Sequence, residues 1–201
     1  MGLVRRITRT GITLIATAAA VGVTIAASPA PAGAAPAKRC VIDQTDATRT
    51  VASLMSDCST GEILGLFADA PLGLMPTGTK TLSLLPVFQI SGDALPYDSA
   101  KALTRAQSVL GDALTFTRRG GQPWVYKNYA WGLDAGAAVT RGVSRVDGRP
   151  VYAADFAADF NGYRISLHEY RQLTPTVWIA RDIGGGDKPT TTPTGGVIAL
   201  S

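Results

Sequence analysis

The sequence predicts a mainly β protein: a small antiparallel β-barrel preceded by a helical lead-in and carrying one internal helix, after a cleaved signal peptide. Three observations predict it. From about residue 123 onward apolar residues recur at period two in short segments; glycine-rich turn signals separate those segments; and upstream of residue 70 the apolar spacing is helical instead. Consecutive short strands joined by tight turns form an antiparallel meander, and a meander leaves exposed edges unless it closes.

The first element is one expected to be removed. A basic stretch with Arg5, Arg6 and Arg9 is followed by the uncharged apolar run Ile12 to Ala27 and then by Ser-Pro-Ala-Pro-Ala-Gly-Ala-Ala. This is the n-region, h-region and cleavage region of a secretory signal peptide in order. The apolar run, of about 16 residues, is shorter than the roughly 20 a spanning helix needs, so no stable membrane anchor is expected after processing. Ala32-Gly33-Ala34 places cleavage after Ala34, with Ala37 as the alternative. Ala37-Lys38-Arg39 ahead of Cys40 does not fit a lipid-modified cysteine. The expected division is a signal peptide at 1–34, a helical lead-in at 35–78 and a barrel domain at 79–201, and the expected location is extracellular.

Export alters the charge balance. The chain has 19 Lys and Arg against 15 Asp and Glu, and three of the arginines fall within the first 34 residues, which leaves 16 against 15. A nearly neutral domain without basic runs interleaved with aromatics excludes nucleic acid as an expected partner. The sequence sets no oligomeric state. A processed chain of this length suits one domain able to bury about 70% of its unfolded surface.

The lead-in should hold two short helices. Val51, Leu54 and Met55, then Ile63, Leu64 and Phe67, lie at helical spacing in 44–57 and 60–70, with breaks at Pro71 and Pro76-Thr77-Gly78. Cys40 and Cys58 are the chain's two cysteines, and in an oxidising compartment an even pair reads as a disulfide. Closing a loop of about 19 residues is worth roughly 3 kcal/mol. A metal site would need further ligands, and the one histidine, His168, is far away in sequence; no metal and no cofactor is expected.

Residues 79–90 read as a strand interrupted at Pro86. Asp98 or Ser99 can then cap a helix running to about Leu114, with Leu103, Ala106, Leu110 and Leu114 on one stripe and Gly111 as its weak point. Strands follow at 123–131, 137–146, 150–157, 162–173, 176–183 and 195–200, with turns at Gly120-Gly121, Asp147-Gly148 and Gly184-Gly185-Gly186. Residues 184–194 read as a hairpin loop, since one more apolar strand follows them.

Three segments in register carry a resemblance. Leu167-His-Glu-Tyr-Arg-Gln-Leu-Thr-Pro-Thr-Val-Trp-Ile-Ala-Arg181 resembles R-D-E-L-R-x-V-x-P-x-L-Y-L-G-R; Asp147-Gly-Arg-Pro150 with Asp155-Phe156 resembles D-G-R-P…D-Y; and Trp124-Val-Tyr-Lys-Asn-Tyr129 resembles W-x-G-K-x-F. These are segments of a group of uncharacterised bacterial proteins, and the resemblance spans residues 63 to 201. It implies a lipocalin-like (calycin-type) β-barrel with a helical lead-in, and no established activity. The chain departs from the pattern where Tyr126 replaces Gly and Leu167-His168 replace Arg-Asp.

Strand faces supply the chemical reading. Between Tyr163 and Leu173 the odd positions are the more apolar, so Glu169 and Arg171 are expected to point inward. With Lys127 and Asp155 from neighbouring strands they would form a polar cluster inside the barrel, serving either as a floor that orients a ligand or as a plain buried ion network. Trp124 and Tyr126 join them as candidate ligand-binding residues. His168 falls on the even, polar face and reads as a surface residue. The other aromatics, Tyr129, Trp131, Tyr152, Phe156 and Trp178, read as pocket lining or as core and rim packing. No G-x-S-x-G, H-E-x-x-H or phosphate-binding glycine loop is present, so no catalytic residue is assigned. Three functions follow as expectations: a carrier of a small apolar ligand, a barrel-type cyclase or isomerase using Glu169 with Tyr126 or Lys127, and an extracellular interaction module without a ligand.

Overall fold

The computed structural model describes residues 39–184 and 189–201. The signal peptide expected at 1–34 and the turn glycines Gly185-Gly186 lie outside the described residues.

The lead-in forms two helices, α1 (Ala47–Ser56) and α2 (Thr60–Asp69). Asp46 caps α1 by accepting from the Arg49 amide, and Ser59 with Glu62 closes a reciprocal capping box at the start of α2. These caps satisfy amides that the first helical turn leaves without partners. A disulfide joins Cys40 to Cys58 across α1. It holds the first described residues against the α1–α2 turn.

The strands are β1 (Gly78–Ile90), β2 (Asp93–Ala94), β3 (Gly111–Arg119), β4 (Gln122–Tyr129), β5 (Gly132–Leu133), β6 (Ala137–Val143), β7 (Pro150–Asp155), β8 (Leu167–Gln172), β9 (Trp178–Ile183) and β10 (Gly195–Leu200). Eight of them, all but the short β2 and β5, pair antiparallel in sequence order, and β10 pairs back onto β1 to close a barrel. Gly120 and Gly121, both at positive φ, make the β3–β4 turn. At Pro86 the β1–β10 register shifts between Leu84 and Phe88, which is where a ring without an N–H is tolerated.

Two expected elements differ. The internal helix, α3 (Tyr97–Gln107), starts after Pro96 rather than on a capping Asp98 or Ser99, and it stops well short of Leu114. After a 3-10 turn at Ser108–Leu110 the chain enters β3 at Gly111. Gly111 is the break: a Cβ there would sit 2.3 Å from the Asn128 carbonyl oxygen, so only glycine lets β3 approach β4 at that bulge. The strand expected from residue 162 begins only at Leu167, because a 3-10 turn at Ala157–Phe160 and left-handed Asn161 and Gly162 occupy the preceding stretch.

The barrel wall has apolar packing on both sides. Inward, Leu114, Phe116, Val125, Tyr170, Trp178 and Leu200 fill one half of the lumen. Outward, Leu85, Val87, Ile179, Val197 and Ala199 pack beneath Leu54, Ile63 and Phe67 of α1 and α2. Burying each of those three helix side chains contributes about 1.5–3 kcal/mol. The helices are thus one outer layer over β1, β9 and β10.

Candidate functional site

The inner face of β8 is the even one. His168, 2% exposed, and Tyr170 point into the lumen, while Glu169 (1%) and Arg171 (0%) are buried on the opposite side, under the helices and loops. Both expectations for this strand are therefore corrected. Glu169 and Arg171 do not face the barrel interior, and His168 is not a surface residue. The reason is that β8 is buried on both faces, so polar and apolar alternation does not report which side is the lumen.

Arg171 has a complete set of outer partners. Its guanidinium makes two bonds to Asp147, of 2.7 and 2.6 Å, and donates to the backbone oxygens of Phe67 (2.8 Å), Ala68 (3.4 Å) and Pro150 (3.2 Å). It also lies 4.4 Å from the centre of the Phe67 ring. Burial alone would raise the Asp147 carboxyl, but the Arg171 hydrogen bonds outweigh it and hold the group below the usual carboxylate range. This constellation clamps the C-terminal end of α2 to the barrel. Glu169 accepts from the Arg145 amide at 2.8 Å and lies opposite Arg181 in the β8–β9 ladder. Asp155 shares an outer groove with Glu169 and pairs with Arg164 at 2.8 Å. Trp124 and Tyr126 also leave the lumen, since they alternate with the interior residues Val125 and Lys127; the Trp124 indole donates to the Ala135 carbonyl at 3.2 Å. Of the six candidate residues, Lys127 alone reaches the interior cavity.

That cavity occupies the unfilled half of the barrel. It measures about 330 Å³, and its walls are Leu82, Leu84, Ala113 and Ile198. At its floor, above Leu114, Val125 and Tyr170, runs a continuous polar chain. The Lys127 ammonium donates to the Ser166 hydroxyl at 2.6 Å, and Ser166 donates to Asp182 Oδ1 at 2.8 Å. His168 Nε2 lies 3.5 Å from that same oxygen, and His168 Nδ1 is 2.9 Å from the Tyr170 hydroxyl. Burial lowers the His168 pKa, against the pull of Asp182, so the ring is neutral at neutral pH. A carboxylate can only accept, which places the ring proton on Nε2 and makes Tyr170 the donor to Nδ1.

The charges in this floor are matched. Burial would raise Asp182, but His168, Lys127 and the Ser166 bond bring it down to about 2. Burial lowers Lys127, and Asp182 and Asp159 offset part of that. The ammonium sits over two rings, 4.3 Å from the centre of Phe156 and 5.4 Å from that of Phe160, contacts that favour a cation in a dry site.

The mouth is apolar and aromatic with an acidic edge. Tyr129 and Trp131 stack at 4.6 Å, and Trp131 is 67% exposed. Leu110, Phe160 and Ile165 continue the rim, with Asp134 and Asp159 between them. Asp159 is fixed by the Gly136 amide at 2.7 Å and the Tyr129 hydroxyl at 3.4 Å. Sequence reasoning missed His168, Ser166, Asp182 and Asp159. Their signal was spacing across three segments, which only the barrel closure brings together.

Among the described residues no group of three or more His, Cys, Asp and Glu could hold a metal ion, and no helix is long and apolar enough to cross a membrane. Fold and site together define a closed antiparallel barrel with one packed half and one lined, open half. No protein-family model, curated protein or solved structure matches the chain.

Proposed function

We propose that the protein is an exported, lipocalin-like binding protein that carries a small, largely apolar molecule in the open half of its barrel. The observation that carries this reading is the unfilled lumen. A cavity of about 330 Å³ with apolar walls and a few convergent polar groups is at the small end of the range of ligand pockets. The exposed Trp131 beside Tyr129 gives an entering apolar body a flat surface at the mouth. The disulfide fits an oxidising compartment. Native mass spectrometry and thermal unfolding of the purified protein, with and without a lipid extract, test the reading. A retained small molecule and a raised unfolding temperature are expected; neither appearing would refute it.

One observation favours a second reading, an acid/base catalyst acting on the bound molecule. It is the chain of Tyr170, His168, Asp182, Ser166 and Lys127, four titratable groups and one serine hydroxyl linked by polar contacts beside a cavity. Recovering the bound molecule after incubation separates the two: an unchanged compound supports the carrier, and a chemically altered one supports the catalyst.

A further inference from the structure

The cavity's charge pattern points to the head group of its ligand. Building on the binding role above, we infer that the ligand is an apolar molecule carrying a neutral oxygen acceptor, an alcohol or a ketone, which enters head first and accepts a hydrogen bond from Lys127. A lysine at the base of an apolar cavity would ordinarily suggest a carboxylate. Here the geometry selects against one.

Three facts make the selection. First, the positive charge of Lys127 already has its counter-charge. The ammonium is joined through Ser166 to Asp182 by bonds of 2.6 and 2.8 Å, so the trio is neutral as a unit. A ligand carboxylate would arrive next to Asp182 with no uncompensated cation to meet it. Second, the other charged lining groups, Asp134 and Asp159, are both acids at the mouth. They repel an anion on entry, and His168, neutral on the floor, offers no relief. Third, the ammonium still has hydrogen-bonding capacity. It has three N–H donors, and Ser166 is its one hydrogen-bond acceptor among the described residues, its other contacts being the faces of Phe156 and Phe160. A neutral oxygen takes up that capacity without adding charge. An amine is excluded at the floor by the same ammonium, although the acidic mouth would attract it. The apolar rim of Leu110, Trp131, Phe160 and Ile165 covers the remainder of the molecule, so the orientation is head inward.

The test is a matched series on one apolar body: octanol, methyl hexyl ketone, octanoate and octylamine, titrated calorimetrically into the purified protein at neutral pH. The alcohol and ketone should bind at least about tenfold more tightly than either ion. Lys127→Met should weaken the two neutral ligands by about tenfold or more, as removal of a charge-assisted hydrogen bond requires. Ser166→Ala is the gentler probe, because it deletes one hydroxyl and leaves His168 against Asp182. It removes the hydrogen-bonded link between the ammonium and Asp182 and frees one more N–H of Lys127, which should move the preference toward octanoate. If octanoate or octylamine binds most tightly to the unmodified protein, or if Ser166→Ala leaves the ratio unchanged, the head-group assignment is overturned while the carrier role stands. If none of the four binds, the carrier role fails and the assignment with it.

Discussion

Replacing Asp147 by alanine should be among the most damaging single changes outside the hydrophobic core. Arg171 is fully buried, and the two bonds from Asp147 supply its counter-ion. Removing one partner of a buried pair leaves an uncompensated charge, at a typical cost of 3–5 kcal/mol. The Asp147 side chain retains 22% exposure, so water can reach the vacated site, and the lower end, about 3 kcal/mol, is expected. For a domain of this size that lowers Tm by roughly 6–12 °C. Urea unfolding followed by tryptophan fluorescence measures the loss. The double variant Asp147→Ala with Arg171→Met should recover part of it, because an apolar side chain of similar length has no charge to leave bare. A loss for Asp147→Ala below about 1 kcal/mol, the value of an exposed ion pair, would refute the clamp.

Other outcomes follow from the same structure. Replacing both Cys40 and Cys58 by serine should lower stability by about 2–4 kcal/mol while leaving the barrel's circular dichroism intact, since every strand pairing lies outside the closed loop; two reactive thiols in the denatured, unreduced protein would contradict the bridge. The folded-state pKa of His168 lies below its ordinary value of 6.5, so the unfolded chain binds the proton first and stability should fall as pH drops below about 6.5. His168→Asn should flatten that slope in equilibrium unfolding between pH 7 and 5, and an unchanged slope would point to another group. Gly136 has φ +69°, and a Cβ there would lie 2.5 Å from the Val125 carbonyl oxygen. Gly136→Ala should cost about 1–3 kcal/mol and loosen Asp159 at the cavity mouth, measurable as weaker binding beyond the change in Tm.

The barrel was readable in the sequence because its C-terminal strands keep period two and are punctuated by glycines, and the span 195–200 is also the observed β10. The helical lead-in was readable from its apolar spacing, and the disulfide from the presence of two cysteines. β3 was not, for a local reason. Leu110 and Leu114 extend the stripe begun by Leu103 and Ala106, yet the helix ends at Gln107 and a 3-10 turn leads into Gly111, whose close approach to the Asn128 carbonyl belongs to the strand pairing that follows. The site was less readable still. Lys127 was among the candidates, but Glu169 and Arg171 belong to a second buried layer that the helices create. A strand covered on both sides carries no alternation from which to choose its lumen face. Ser166 and Asp182 sit at the ends of different strands, and nothing local marks them as neighbours.

The double burial of β8 also fixes alignment. If the strand slid by one residue against β7 and β9, Glu169 and Arg171 would enter the lumen beside Tyr170's present neighbours, and His168 would face the Phe67 side. Neither layer could accept what it received: the guanidinium would lose Asp147 and its carbonyls, and the imidazole would lose Asp182. Two independent sets of partners thus veto the same error, one on each side of a six-residue strand.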